Sequence, residues 1–193
     1  QERYAGQLDD QADEFINFAV DGATRMQGLI DDLMRLSRTG TAGLAMEAVD
    51  MNGVIEEVKL NLGAQIQETG SQIRCENLPV VLGDRTLLMQ LFQNLIGNAI
   101  KFRGDKTPEI NVAATRKGDE WEFSVSDNGI GIPEAMQDKI WASFFSTKGE
   151  GFKGMGLAAC THIISQMNGS ISVESVPEKG TTFIIELPVA EKA

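Results

Sequence analysis

Four polar side chains stand in line on one stretch of this chain. The stretch is residues 85–102, RTLLMQLFQNLIGNAIKF, and the four are Gln90, Asn94, Asn98 and Lys101. On a helix, their spacing of i, i+4, i+8 and i+11 confines them to a strip about 80° wide. Asparagine is a poor helix former, so a merely solvated face would more often carry Glu and Lys. Amide oxygens can ligate a hard cation, and a lysine can meet phosphate. The strip reads either as a solvated stripe or as a surface that meets a polar, charged ligand.

A second constellation is Asp127-Asn128-Gly129-Ile130-Gly131-Ile132, directly after a strand-like run. Two glycines let the backbone approach a ligand closely. Asp127, at the strand end, can accept a hydrogen bond from the exocyclic amine of an adenine. A guanine would present an oxygen there and be repelled. Asp-Asn-Gly is also ordinary turn chemistry.

The third is residues 149–157, GEGFKGMGL, which open a predicted helix. Backbone amides at a helix N-terminus bind phosphate. Gly149, Gly151 and Gly154 spell GxGxxG, with Glu174 about 20 residues on, as in a dinucleotide fingerprint. The context is wrong for it. Residues 144–148 read FFSTK rather than a buried parallel strand, and Glu174 falls inside a hairpin strand. No Walker signature is present, so any nucleotide is held another way.

The elements that must position these groups follow from periodicity. Leu88, Leu91, Phe92, Leu95, Ile96, Ala99 and Ile100 recur at helical spacing over 85–102, after a capping Asp84 and before Gly104. Residues 9–38 predict one long helix, with Ala12, Phe15, Ala19, Ala23, Met26, Ile30 and Leu33 forming a coiled-coil or bundle seam. Such a stripe needs a partner helix. Residues 38–43, RTGTAG, form a plausible domain boundary.

Beyond it, 45–51 suggests a short strand. Asn52 can cap a helix running to about Glu68, ended by Gly70. Residues 72–76 and 78–82 are strand-like. Two hairpins are predicted, 109–116 with 121–126 and 170–176 with 181–187, and short helices over 133–140 and 156–167. All three strand pairs are expected to be antiparallel. The class is α+β, one layer of helices on one sheet.

Composition bounds the function. The 193 residues carry 42% hydrophobic residues and a net charge of −11. Such acidity argues against nucleic acid and anionic membranes as partners. No apolar run reaches membrane-spanning length and no signal peptide is visible, so no direct membrane contact and a cytoplasmic setting are expected. The first residue is Gln1, so the chain reads as part of a longer protein. Cys75 and Cys160 lack metal-ligand spacing and read as small core residues. His162, the one histidine, reads as a surface residue of a helix.

Asn98 with Lys101, Asp127 to Gly131, Phe144-Phe145 and Gly154 to Leu157, in that order and spacing, resemble the ATP-binding domain of sensor histidine kinases. They stand as its asparagine box, first glycine box, phenylalanine box and second glycine box. Gly180-Thr181-Thr182-Phe183 is similar to its last strand motif, and the resemblance covers 45–188. The helix of 9–38 resembles the second helix of the dimerisation and phosphotransfer domain, in the phytochrome-like branch.

The resemblance implies a Bergerat-type ATPase sandwich, a mixed sheet with one layer of helices, over 44–190. A partial phosphotransfer helix over 1–40 would precede it. It further implies ATP and Mg²⁺ as ligands, a homodimer through the bundle helix, and a response regulator as partner. By that likeness Asn98 holds the metal, Asn94 sits near the phosphates and Lys101 contacts phosphate. Asp127 takes the adenine amine, with Gly129 and Gly131 beside the ring and Thr181 supporting Asp127 through water. Residues 142–154 would be the lid, with Gly154 and Gly156 at the phosphates and Leu157 also in the ATP-binding set.

Two departures stand out. The acceptor histidine of the family is expected before Gln1, so no catalytic residue is expected within this chain. The second glycine box usually reads GTGxGL, and here Phe152 and Lys153 replace a glycine and a threonine. Lys153 could compensate as a phosphate contact. The expected activity is a protein histidine kinase. The alternative is a degenerate member acting as a regulatory scaffold with weak or no ATP binding.

Overall fold

Residues 44–142 and 156–189 are described by a computed structural model. They fall within one compact unit, 44–145 with 154–193. The expected helix over 9–38 lies outside the described residues, as do Phe144, Phe145, Phe152, Lys153 and Gly154.

Strand β1 (Glu47–Asp50) leads directly into helix α1 (Met51–Asn61), and α2 (Gly63–Thr69) follows. A single helix capped by Asn52 is expected here, and the structure corrects both points. Asp50 is the cap and accepts from the Asn52 backbone N–H. Hydrogen bonds from the Asn52 side chain and backbone hold the Asp50 carboxyl below its ordinary range. The Asn52 side chain also reaches across to Leu78. Its Nδ2 donates to the Leu78 carbonyl at 2.8 Å, and its Oδ1 accepts from the Leu78 N–H at 3.0 Å. The helix breaks at Leu62 (φ −93°, ψ 5°), whose side chain stays in the core. Gly70, at φ +67°, ends α2 as expected.

Strands β2 (Gln72–Cys75) and β3 (Val80–Gly83) do not pair with each other. Strand β2 lies parallel to β4 (Glu109–Lys117), with Ile73 opposite Ile110. Strand β3 lies antiparallel to β1, with Val81 opposite Val49. The cause is local. Leu78 is held by Asn52, and the Pro79 carbonyl accepts from Met51 N at 3.2 Å, so the chain is pinned to the start of α1 before β3 begins.

Helix α3 (Arg85–Lys101) starts where Asp84 Oδ1 accepts from Thr86 N at 3.0 Å and Leu87 N at 3.2 Å. Its predicted apolar face is buried in full, joined by Leu87. Strand β5 (Glu120–Asp127), the short helix α4 (Glu134–Gln137), α5 (Gly156–Gln166), β6 (Ser170–Val176) and β7 (Gly180–Pro188) complete the unit. Helix α4 is shorter than the predicted 133–140. Lys139 N and Ile140 N both turn back onto the Met136 carbonyl.

The main sheet has the order β2-β4-β5-β7-β6, parallel at β2–β4 and antiparallel elsewhere. Alternate residues face the core: Ile110 and Val112, Phe123 and Val125, then Phe183, Ile185 and Leu187. Such alternation marks a sheet with one covered face. Phe92 of α3 meets Phe123 edge to face, ring centroids 5.7 Å apart. This is the expected mixed sheet under one layer of helices. Among the described residues no helix is long and apolar enough to cross a membrane.

Candidate functional site

Strand β5 carries Asp127 to the edge of the core. Asp127 Oδ1 accepts from Gly129 N at 2.8 Å and from Thr181 N at 3.2 Å. Among the described residues, Oδ2 accepts no hydrogen bond. Burial raises the Asp127 carboxyl above its ordinary range, and the two N–H donors oppose that shift. A half-buried carboxylate with one oxygen fixed and the other open is an aimed acceptor.

The glycines around it are close-contact positions. A Cβ at Gly129 would come within 2.6 Å of the Phe102 carbonyl oxygen, and one at Gly131 within 2.2 Å of the Val176 carbonyl oxygen. Two sets of bonds hold this loop. On one side Ile130 N donates to the Phe102 carbonyl at 3.1 Å, just past the end of α3. Asn128 bridges the same side, accepting from Glu109 N at 2.9 Å and donating to the Thr107 carbonyl at 3.0 Å. On the other side Glu178 N donates to the Ile130 carbonyl at 2.8 Å, and Gln137 Nε2 donates to the carbonyls of Ile132 (3.0 Å) and Ser175 (2.9 Å).

The polar strip of α3 runs toward this loop. Gln90, Asn94, Asn98 and Lys101 are all half-buried. Asn94 Nδ2 donates to the Gly156 carbonyl at 3.3 Å, so the strip meets the first residue of α5. Gly156 and Leu157 open that helix and are half-buried. The Lys101 ammonium lies 4.8 Å from the centre of the Phe102 ring. Asn98 makes no side-chain hydrogen bond among the described residues, and its amide oxygen is a neutral, hard donor of the kind Mg²⁺ accepts.

These bonds bring together the end of α3, the loop after β5 and the start of β7. The Thr181 backbone N–H reaches Asp127 directly, and its hydroxyl lies 3.0 Å from Ser175 Oγ. Asn128, Gln137 and Ser175 are missed by the sequence reading. The signal for Asn128 is its place inside the glycine loop; Gln137 and Ser175 carry none. Lys153 and Gly154 cannot be placed, since they lie outside the described residues. Cys160 is buried, and burial pushes its thiol up to about 12.

The sequence pattern of the histidine kinase-, DNA gyrase B-, and HSP90-like ATPases matches residues 83–191, more than half of the chain. The chain belongs to that family. Within it, the chain is 46% identical over 190 residues to Cyanobacterial phytochrome A of a Nostoc species, covering 97% of this chain and 25% of the relative. It is 41% identical over 191 residues to the Phytochrome-like protein Cph1 of a Synechocystis species, with coverage of 97% and 25%. The chain therefore spans about a quarter of the length of the curated relatives it matches.

Among solved structures, the chain resembles full-length ShkA in complex with AMPPNP. The TM-score is 0.76 at 26% identity, over 98% of this chain and 41% of that one. The catalytic domain of histidine kinase ThkA gives a TM-score of 0.65 at 30% identity, over 74% of this chain and 95% of that one. ThkA in complex with the response regulator TrrA gives 0.72 at 26% identity, over 97% and 55%. The described unit is an ATPase domain of the histidine kinase type.

Proposed function

We propose that the domain binds ATP with Mg²⁺ and presents the γ-phosphoryl group to a histidine on a dimeric helix bundle, for relay to a response-regulator aspartate. The observation that carries this reading is Asp127, held at Oδ1 by two backbone N–H groups with Oδ2 left as an acceptor. That arrangement suits the adenine amine and disfavours a guanine carbonyl. Gly129 and Gly131 then lie beside the base. Asn94, Gly156 and Leu157 sit at the phosphates with Lys101, and Lys153 and Gly154 complete that end.

The Asn98 amide oxygen fits a cation that prefers octahedral oxygen ligands and keeps several waters. Bound Mg²⁺ supplies neutralisation of phosphate charge. The remaining work is positioning, since phosphoryl transfer asks little covalent chemistry of the protein. The ThkA complex with TrrA supports a response regulator as partner. Residues 9–38 would supply the dimeric bundle, and the reaction would run in the cytoplasm. His162 lies on α5, 3.1 Å from Gln166 Nε2, and is not proposed as the acceptor. No observation favours the scaffold alternative.

Calorimetric titration tests the reading. ATP should bind in the presence of Mg²⁺, and GTP should bind at least about tenfold more weakly, the scale of one misplaced polar contact. Equal affinities would overturn the assignment of Asp127.

A further inference from the structure

Ser175 sits on β6 and touches two of the segments that surround Asp127, the end of the glycine loop and the start of β7. Its Oγ accepts from Ile132 N at 2.8 Å, at the end of the glycine loop. It donates to the Gly180 carbonyl at 2.9 Å, at the start of β7. It also lies 3.0 Å from Thr181 Oγ1. A serine hydroxyl has one proton and two lone pairs. The proton serves Gly180 and one lone pair takes the Ile132 N–H. The contact with Thr181 must then be a second acceptance, so Thr181 donates its only hydroxyl proton to Ser175. Toward any other group the Thr181 hydroxyl can act only as an acceptor.

We infer that Ser175 is a positioning residue for base discrimination, fixing the Thr181 hydroxyl as an acceptor and holding the Thr181 N–H on Asp127 Oδ1. The inference rests on the adenine reading of Asp127 given above. The same residue whose N–H fixes Asp127 has its side-chain polarity set by Ser175. Asp127 Oδ2 and the Thr181 hydroxyl are then both acceptors. A base edge with an amine, or a water donating to either, is matched; a carbonyl edge is not. Without Ser175, the Thr181 proton is released, the hydroxyl can turn donor, and a carbonyl edge gains a partner.

The experiment is calorimetric titration of ATP and GTP, with Mg²⁺, into the full 193-residue chain and its Ser175→Ala and Ser175→Thr variants. Ser175→Ala should lower the ratio of ATP to GTP affinity by about three- to tenfold, the scale of one hydrogen bond. Ser175→Thr keeps the hydroxyl and suits a strand, and should hold the ratio within about twofold of the parent. Should Ser175→Ala not fold, Ser175→Cys, a weaker donor, carries the same comparison. An unchanged ratio in the alanine variant overturns the inference, as does an equal loss in the threonine variant, which would point to packing rather than the hydroxyl. Failure of the parent chain to prefer ATP is a separate result and would strike the adenine reading itself.

Discussion

A Cβ at Gly180 would lie 1.9 Å from the carbonyl oxygen of Asp127. The start of β7 and the end of β5 therefore touch backbone to backbone, at the place where Thr181 N then reaches the Asp127 carboxylate. Gly180 also has φ +117°, a conformation that L side chains rarely adopt.

Gly180→Ala should accordingly cost stability twice, through strain and through overpacking. The two together predict a loss of about 2–4 kcal/mol. Urea denaturation should show a lower midpoint, and ATP binding should weaken in the fraction that remains folded. A midpoint equal to that of the parent would show that β5 and β7 can part at no cost.

Asp127→Asn separates the two oxygens of the carboxylate. An asparagine Oδ1 can still accept from Gly129 and Thr181, but the other position becomes an NH₂ that meets the adenine amine donor to donor. ATP affinity should fall by about 1–3 kcal/mol. Stability should move the other way. Burial raises the Asp127 carboxyl above its ordinary range, so the folded state holds the proton more tightly than the unfolded state. The stabilisation that follows is present at low pH and is lost as pH rises through the folded-state pKa. At neutral pH the ionised group is a liability that asparagine removes. Calorimetric melting of both proteins should favour the asparagine variant at pH 7, with the gap closing in acid. A gap that widens in acid would reverse the sign of the burial effect.

Asn98→Ala removes the amide oxygen assigned to the metal. Mg²⁺ joins few protein groups to the phosphate oxygens, so the variant should lose the magnesium dependence of ATP binding more than it loses metal-free ADP binding. Titrations with and without Mg²⁺ read this directly. Unchanged magnesium-dependent affinity would take Asn98 out of the site.

The α3 strip and the Asp127 loop are legible in sequence because residue type and spacing there state both a geometry and a chemistry. Asn94 and Asn98 are poor helix residues at helical spacing, and Asp127 ends an alternating strand before two glycines. Asn52 misleads because one side chain suits two jobs: it has the chemistry of a cap, yet it is used to clamp Leu78. The partner of β2 is not legible from its four residues, since Ile73 would pack as well in an antiparallel pair; the clamp at Leu78 and Pro79 decides it. Ser175 is invisible for a different reason. An isolated serine in a strand has no pattern, and its importance lies in three partners that only the folded chain brings to one oxygen.

The parallel pairing of β2 with β4 has a consequence for how the chain collapses. The hairpins β4–β5 and β6–β7 close through tight turns, so their loop-closure entropy is small. Strand β2 can meet β4 only after the whole segment 76–108, with β3 and α3 inside it, has been gathered. The entropy of that closure is charged against one four-residue strand at the sheet's edge. Non-local pairings of this kind form slowly and open readily. Asp127 and Thr181 stand on the opposite side of β4, on strands β5 and β7, so the edge most prone to fray is not the one that holds the groups proposed to meet the nucleotide.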